Sequence, residues 1–261
     1  MTVQNEAKIH MSPTRAFKFA RNPLRALEDY TGESKWFEGD DTALLYGTIV
    51  HNIAEGRDMF EGLSDGDREL LVSSRGKTKG QLKSSFKEAE IVGIHLRSFV
   101  SNIADNIQFE IPLEEANSIL VDEREVQFNV TGRADMLTEN AVYDFKTVAS
   151  NDFQGFLEYG SFRDHREVNY VCQVAFYAHM FNKTDAHILY IQKNKDTPFI
   201  YDYQLTERDL YDGWVTISEF ISDAVKVIDR GKECAKAVND GSIWAFKHFG
   251  GVIDGNQNDK I

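Results

Sequence analysis

Apolar residues recur along this chain with two different periods, and the change from one to the other divides it. Ser12 can cap a helix with Pro13 at its first position, running through RAFKFA. Over Thr42–Glu55, Leu45, Ile49 and Ile53 recur at helical spacing. Over Thr78–Ala104, Leu82, Phe86, Ala89, Gly93, Leu96 and Val100 form one stripe, with Lys79, Lys83 and Lys87 aligned beside it. The period then shortens. Glu125–Val130, Gly132–Leu137 and Ala141–Val148 read as strands rich in β-branched and aromatic residues. Val168–Phe181 returns to helix, Ala186–Lys193 and Phe199–Leu205 read as a hairpin, and residues 206–238 read as a long helix capped by Thr206 with Glu207 and Asp209 in its first turn. The order predicts a mixed α/β core with a helical N-terminal part, a single domain over 1–261 with loose ends at 1–10 and about 250–261.

Composition narrows the classes. The 261 residues suffice for a substantial core, and 42% hydrophobic content argues against wholesale disorder. No stretch approaches the roughly 20 apolar residues that span a membrane, and MTVQNEAKIH carries no apolar signal core. Two cysteines, Cys172 and Cys234, fit a reducing cytoplasm and exclude a four-cysteine zinc or iron–sulfur site within one chain. The net charge of −13 is unusual for a protein that grips phosphates, but its distribution is uneven. Residues 75–87 hold Arg75, Lys77, Lys79, Lys83 and Lys87 and no acid, and residues 15–25 hold Arg15, Lys18, Arg21 and Arg25 and no acid. A basic groove in an acidic exterior gives this pattern, and so does an ordinary solvated surface.

The chemistry concentrates in Gly132-Arg-Ala-Asp135-Met-Leu-Thr-Glu-Asn-Ala-Val-Tyr-Asp144-Phe-Lys146-Thr147. With a tight turn at Glu139-Asn140, the two strands pair so that Asp135 lies opposite Asp144, and directly opposite residues share a face. Alternation puts Lys146 on that face too and turns Phe145 into the core. Two carboxylates opposite one another repel, and a divalent cation relieves them. Carboxylate oxygens with a backbone carbonyl suit Mg²⁺ or Mn²⁺. Taken alone, the same pattern is also an ordinary hairpin with a surface Asp–Lys pair.

GRADM…YDFKT resembles motifs II and III of RecB-like and RecE-like exonucleases of the PD-(D/E)XK superfamily. Tyr46-Gly-Thr-Ile-Val-His51 is similar to that group's G-x-x-x-H helix, Gln173-Val-Ala-Phe-Tyr177 to its Q-x-x-x-Y helix, and SPTRAFKFARNP to its opening helix, in matching order over about residues 12–205. The resemblance implies a restriction-endonuclease-like core, a central mixed sheet flanked by helices. It implies a metal site of His51, Asp135, Asp144 and the carbonyl of Phe145, a catalytic Lys146, and Gln173 and Tyr177 supporting the site and contacting DNA. Glu125 is an expected extra ligand or base, with Glu110 a weaker candidate. Lys79, Lys83 and Lys87 are expected DNA contacts, followed by Lys193, Lys195, Arg163 and Arg166.

The function implied is a Mg²⁺-dependent exodeoxyribonuclease, with Mn²⁺ substituting, that digests linear duplex DNA from its ends, 5′ to 3′. The 3′ strands left behind serve a single-strand-annealing recombinase or single-strand-binding protein. The resemblance further implies a phage-type enzyme that forms a homo-oligomeric ring and works in the cytoplasm, that of the bacterial host if it is phage-encoded. The alternatives are a structure-specific or restriction-type endonuclease on the same fold, and a non-catalytic acidic DNA mimic or protein-binding module.

Overall fold

Six strands form one mixed sheet in the computed structural model, which describes residues 9–35, 41–153 and 165–249. They are β1 Ile9–Met11, β2 Gln108–Val121, β3 Arg124–Leu137, β4 Ala141–Ala149, β5 Asp185–Lys193 and β6 Ile200–Gln204. The order is β1-β3-β4-β5-β6, with β2 also paired to β3. The helices are α1 Pro13–Arg21, α2 Pro23–Thr31, α3 Asp41–Ala54, α4 Asp65–Leu71, α5 Ser84–Val100, α6 His165–Met180, α7 Glu207–Arg230 and α8 Ile243–His248. No described helix is long and apolar enough to cross a membrane. The expected loose ends fall mostly outside the described residues, as does Arg163, while Ile9 and His10 open β1.

The chain divides into two compact units, Met1–Phe37 with Leu113–Gly132 and Val215–Ile261, and Glu38–Pro112 with Arg133–Trp214. In the first, β1 runs parallel to the early part of β3, pairing Ile9 with Phe128 and Met11 with Val130. Ser12 caps α1 by accepting the Arg15 N–H, as expected. Asn22 repeats the device one helix later, accepting the Arg25 N–H ahead of Pro23. The buried Arg25 guanidinium meets Asp240 at 2.9 Å, and both side chains are nearly out of solvent. The expected helix over 206–238 stops at Arg230, because Gly231 turns left-handed at φ 73.

The second unit carries the larger core. Here β4 and β5 are parallel in full register from Ala141↔Asp185 to Ala149↔Lys193, and β6 is antiparallel to β5. Tyr143, Phe145, Leu189 and Ile191 share one face of the sheet and pack with Ile49 and Ile53 of α3 and Phe86 and Leu96 of α5. The other face, with Val142, Asp144, Ile188 and Tyr190, is the one left for α6, which packs on β4 and β5. The helix expected over 78–104 begins only at Ser84. A left-handed Gly80 and a bridge from Ser73 to Lys79 fold the segment before it back on itself, so Lys79 lies off the helix that carries Lys87, and Lys83 is its N-cap. Strand β2 was not expected. Phe109, Ile111 and Leu113 alternate with polar positions, but across Pro112 and a run of acids.

Candidate active site

The β3–β4 hairpin has the expected register. Met136 pairs with Tyr143 and Leu137 with Val142, and the same register continued sets Asp135 opposite Asp144. Thr138 makes the Glu139-Asn140 turn possible without glycine. Its N–H donates to the Ala141 carbonyl at 2.9 Å and its hydroxyl accepts the Ala141 N–H at 3.1 Å. Lys183 then donates to the carbonyls of Thr138 and Glu139 at 2.9 and 2.8 Å, holding the turn from outside. One oxygen of Asp135 accepts the Phe145 N–H at 2.7 Å, which fixes the carboxylate across the hairpin.

Asp144 is only 2% exposed, and Lys146 Nζ stands 2.7 Å from its Oδ2. The contact has ion-pair distance but not hydrogen-bond alignment, so that oxygen is buried without an aligned donor. Burial pushes the Asp144 carboxyl up to about 6 against the opposing pull of Lys146. Burial alone would lower the Lys146 ammonium, yet Asp144 and Asp135 outweigh it and hold the amine protonated. The ammonium also lies 4.7 Å above the Tyr170 ring of α6, a cation–π contact.

A second acidic group adjoins the first through His51. His51 and Glu55 are one turn apart at the end of α3 and so share a face. The helix ends there because Gly56 goes left-handed at φ 79. The Gly56 N–H then reaches the Ile53 carbonyl at 3.0 Å and the Arg57 N–H the Asn52 carbonyl at 2.8 Å. Glu110 comes from β2. His51 Nδ1 lies 3.8 Å from both Glu110 Oε1 and Asp135 Oδ1, and ligand atoms of His51, Glu55 and Glu110 all fall within 4.8 Å of one another.

Each acid in this trio faces an arginine. Arg57 Nη2 is 2.5 Å from Glu55 Oε2, and Arg133 Nε is 2.5 Å from Glu110 Oε2. Burial, then the charge of Glu110, raises Glu55 to about 7 despite Arg57. Glu110 goes the other way: the neighbouring His51 imidazole and the charge of Arg133 hold it below the usual range against burial. Burial would lower the His51 imidazole, but Asp135 and Glu110 raise it. Four carboxylates and one imidazole on adjoining elements, with two buried oxygens lacking an aligned donor, Asp144 Oδ2 and Glu55 Oε1, form a donor set that fits a divalent cation of Mg²⁺ or Mn²⁺ type.

The other expected residues are placed as follows. Tyr177 is buried, and its hydroxyl accepts the Arg133 N–H at 3.2 Å, two residues before Asp135. Gln173 hydrogen-bonds Tyr177 from the preceding turn. Tyr177 thus positions β3 from beneath. The Phe145 ring is in the core, edge-on to His51 at 5.4 Å between centroids. Lys79, Lys83 and Lys87 are exposed. Glu125 is not among the acids grouped with His51. It is an exposed residue of β3. Glu110, ranked below it, is the acid that meets His51. Glu55, Arg57 and Arg133 were missed, although Glu55 carries a readable signal, its four-residue spacing from His51.

A mixed six-stranded sheet flanked by helices, with paired aspartates and a lysine on one hairpin, defines the fold class of the PD-(D/E)XK nucleases. The chain belongs to the family described as PDDEXK-like domain of unknown function (DUF3799), whose sequence model matches residues 12–237. Among solved structures it resembles a candidate exonuclease from Eubacterium rectale, with TM-score 0.66 and 18% identity over 95% of this chain and 92% of that one. At that identity the likeness speaks for the fold. An alkaline exonuclease from Laribacter hongkongensis aligns at TM-score 0.37 and 8% identity over 69% of this chain and 89% of that one, too loosely to carry an argument. A search of curated proteins found no significant match.

Proposed function

We propose that the protein is a divalent-metal-dependent exodeoxyribonuclease that hydrolyses linear duplex DNA from its ends. The observation that carries this reading is the hairpin face on which Asp135 and Asp144 meet beside the ammonium of Lys146, with His51 3.8 Å from Asp135. Asp135, Asp144, the Phe145 carbonyl and His51 would hold one cation, and Glu110 and Glu55 extend the donor set around His51. Such a cation lowers the pKa of a bound water and offsets charge on the phosphate. Lys146, kept protonated at the same place, orients the attacking water and donates to the phosphate oxygen on which charge develops. Tyr177 and Gln173 hold Arg133 and thereby the strand that presents Asp135. Lys79, Lys83 and Lys87 are the proposed contacts along the DNA backbone.

Mg²⁺ is the proposed physiological ion, with Mn²⁺ substituting. In the same reading digestion runs 5′ to 3′ and hands a 3′ strand to an annealing or strand-binding protein, the active form is a homo-oligomeric ring, and the enzyme works in the bacterial cytoplasm. The two compact units act as one nuclease domain, which the family match across both of them supports.

Digestion of linear and closed-circular duplex DNA in Mg²⁺, beside an Asp144→Ala control, tests the reading. Loss of the linear form alone, abolished by the substitution, is expected. Cutting of the circle would assign an endonuclease, and no cutting in Mg²⁺ or Mn²⁺ would remove the enzymatic reading.

A further inference from the structure

Among the described arginines, two are ion-paired to acids of the His51 trio, and they are held differently. Arg57 is committed twice, to Glu55 at 2.5 Å and to Glu61 at 3.6 Å, and its side chain is 34% exposed. Arg133 Nε lies 2.5 Å from Glu110 Oε2, and its side chain is 64% exposed, whereas that of Glu110 is 17% exposed. The fork of the Arg133 guanidinium is therefore open to solvent while its root is fixed. The Tyr177 hydroxyl holds its backbone N–H, so the side chain can swing while the strand stays still. Residues two apart on a strand share a face, so Arg133 projects to the same side as Asp135, roughly 6.6 Å further along β3.

We infer that Arg133 is a DNA-phosphate-binding residue kept in reserve on Glu110, released to the backbone of the substrate when Glu110 turns to a divalent cation. The inference rests on the proposed metal site. A carboxylate oxygen that coordinates a cation is a weaker partner for a guanidinium, and a freed guanidinium suits phosphate better than any other side chain because its planar fork donates in pairs. Metal and DNA then help each other through one residue. By linkage, the factor by which metal tightens DNA binding equals the factor by which DNA tightens metal binding. The arrangement also accounts for a basic contact inside a protein of net charge −13, since the arginine is neutralised until the site is loaded.

The test uses the full chain and two readouts other than cleavage. Mn²⁺ titration by calorimetry without DNA compares the wild type with Arg133→Met and Glu110→Gln. Removing the competing guanidinium should tighten Mn²⁺ binding by about fivefold, the upper end for a partly exposed ion pair, and Glu110→Gln should weaken it. Anisotropy of a labelled duplex end is then followed in Ca²⁺, with a gel showing the duplex intact, and again in chelator. In Ca²⁺, Arg133→Met should lose affinity, and its slope of log affinity against log salt should fall by about 0.9, one phosphate contact. In chelator the two proteins should bind alike. Arg133→Lys keeps the charge without the fork and should fall between them in Ca²⁺. Mn²⁺ affinity in Arg133→Met equal to or below that of the wild type would overturn the inference and leave the metal site standing, as would equal loss of DNA binding with and without Ca²⁺. No Mn²⁺ binding by the wild type would overturn both.

Discussion

Gly93 sits in the middle of α5, and its missing side chain lets that helix approach α3 closely at Ile53, between His51 and Glu55 in sequence. A Cβ added there would lie 2.7 Å from Ile53 Cβ, 3.0 Å from its Cγ2 and 3.2 Å from its Cδ1. Carbon atoms prefer about 3.5–4.0 Å, so the helices must open by roughly 1 Å. Ile53 is nearly buried and lies between the two ligand candidates on α3, so the movement falls on them directly. Gly93→Ala brings two opposing effects. Overpacking a filled core costs about 1–3 kcal/mol, and replacing a mid-helix glycine by alanine returns about 0.5–1 kcal/mol. The middles of the two ranges leave a net loss of about 1 kcal/mol, read as a lower urea midpoint at unchanged slope. Mn²⁺ affinity should fall as well, because His51 and Glu55 move relative to Glu110 and Asp135. A midpoint equal to or above the wild type would refute the packing argument, and lower stability with unchanged Mn²⁺ affinity would refute the link to the site.

Tyr177→Phe should lower stability by about 1–2 kcal/mol in the same assay, since it leaves the Arg133 N–H without its acceptor; an unchanged midpoint would mean that water replaces it. At the start of α7, Asp209 accepts from the Thr206 N–H and hydroxyl and from the Tyr203 hydroxyl at 2.9, 2.7 and 2.9 Å. Asp209→Ala should cost about 1 kcal/mol at neutral pH. Burial pushes the Asp209 carboxyl up, but the donors of Thr206 and Tyr203 outweigh it and depress it. Its contribution is therefore present above the unfolded value and lost as pH falls through the folded one, so the gap between wild type and variant should close toward pH 3; a constant gap contradicts this. Mn²⁺ affinity should weaken between pH 7.5 and 5.5, because Asp144 at about 6 and Glu55 at about 7 take up protons that the metal must displace. Calorimetry should show a fall of about 4-fold if Asp144 alone must ionise and about 100-fold if Glu55 must also, and a flat profile would place the metal elsewhere.

The hairpin that carries the chemistry was legible because its signals are local. A two-residue turn and strict alternation set which side chains face one another, and Thr138 closes the turn where Glu-Asn is a weak signal. The α3 helix was legible from its apolar stripe, and α1 from Ser12 and Pro13. What failed was mostly a boundary or an interrupted pattern. Apolar spacing continues across Gly80 and past Gly231, but the left-handed backbone at each glycine breaks the helix there. The alternation in β2 is crossed by Pro112 and crowded by acids, so the strand went unseen. With it went the partner of Arg133, since nothing in the sequence alone brings residue 110 beside residue 133. Glu125 precedes the hairpin strand in sequence, but its side chain is exposed.

Glu110 adopts φ 52, a left-handed backbone that a side chain with a Cβ occupies at a cost of order 1–2 kcal/mol. Glycine would occupy it freely. Stability and chemistry therefore make opposite demands on this one position. A search for hardier variants would favour Glu110→Gly and, in accepting it, discard the carboxylate that meets His51 and restrains Arg133. Heat resistance selected without a binding screen would lead away from a working enzyme at this residue first.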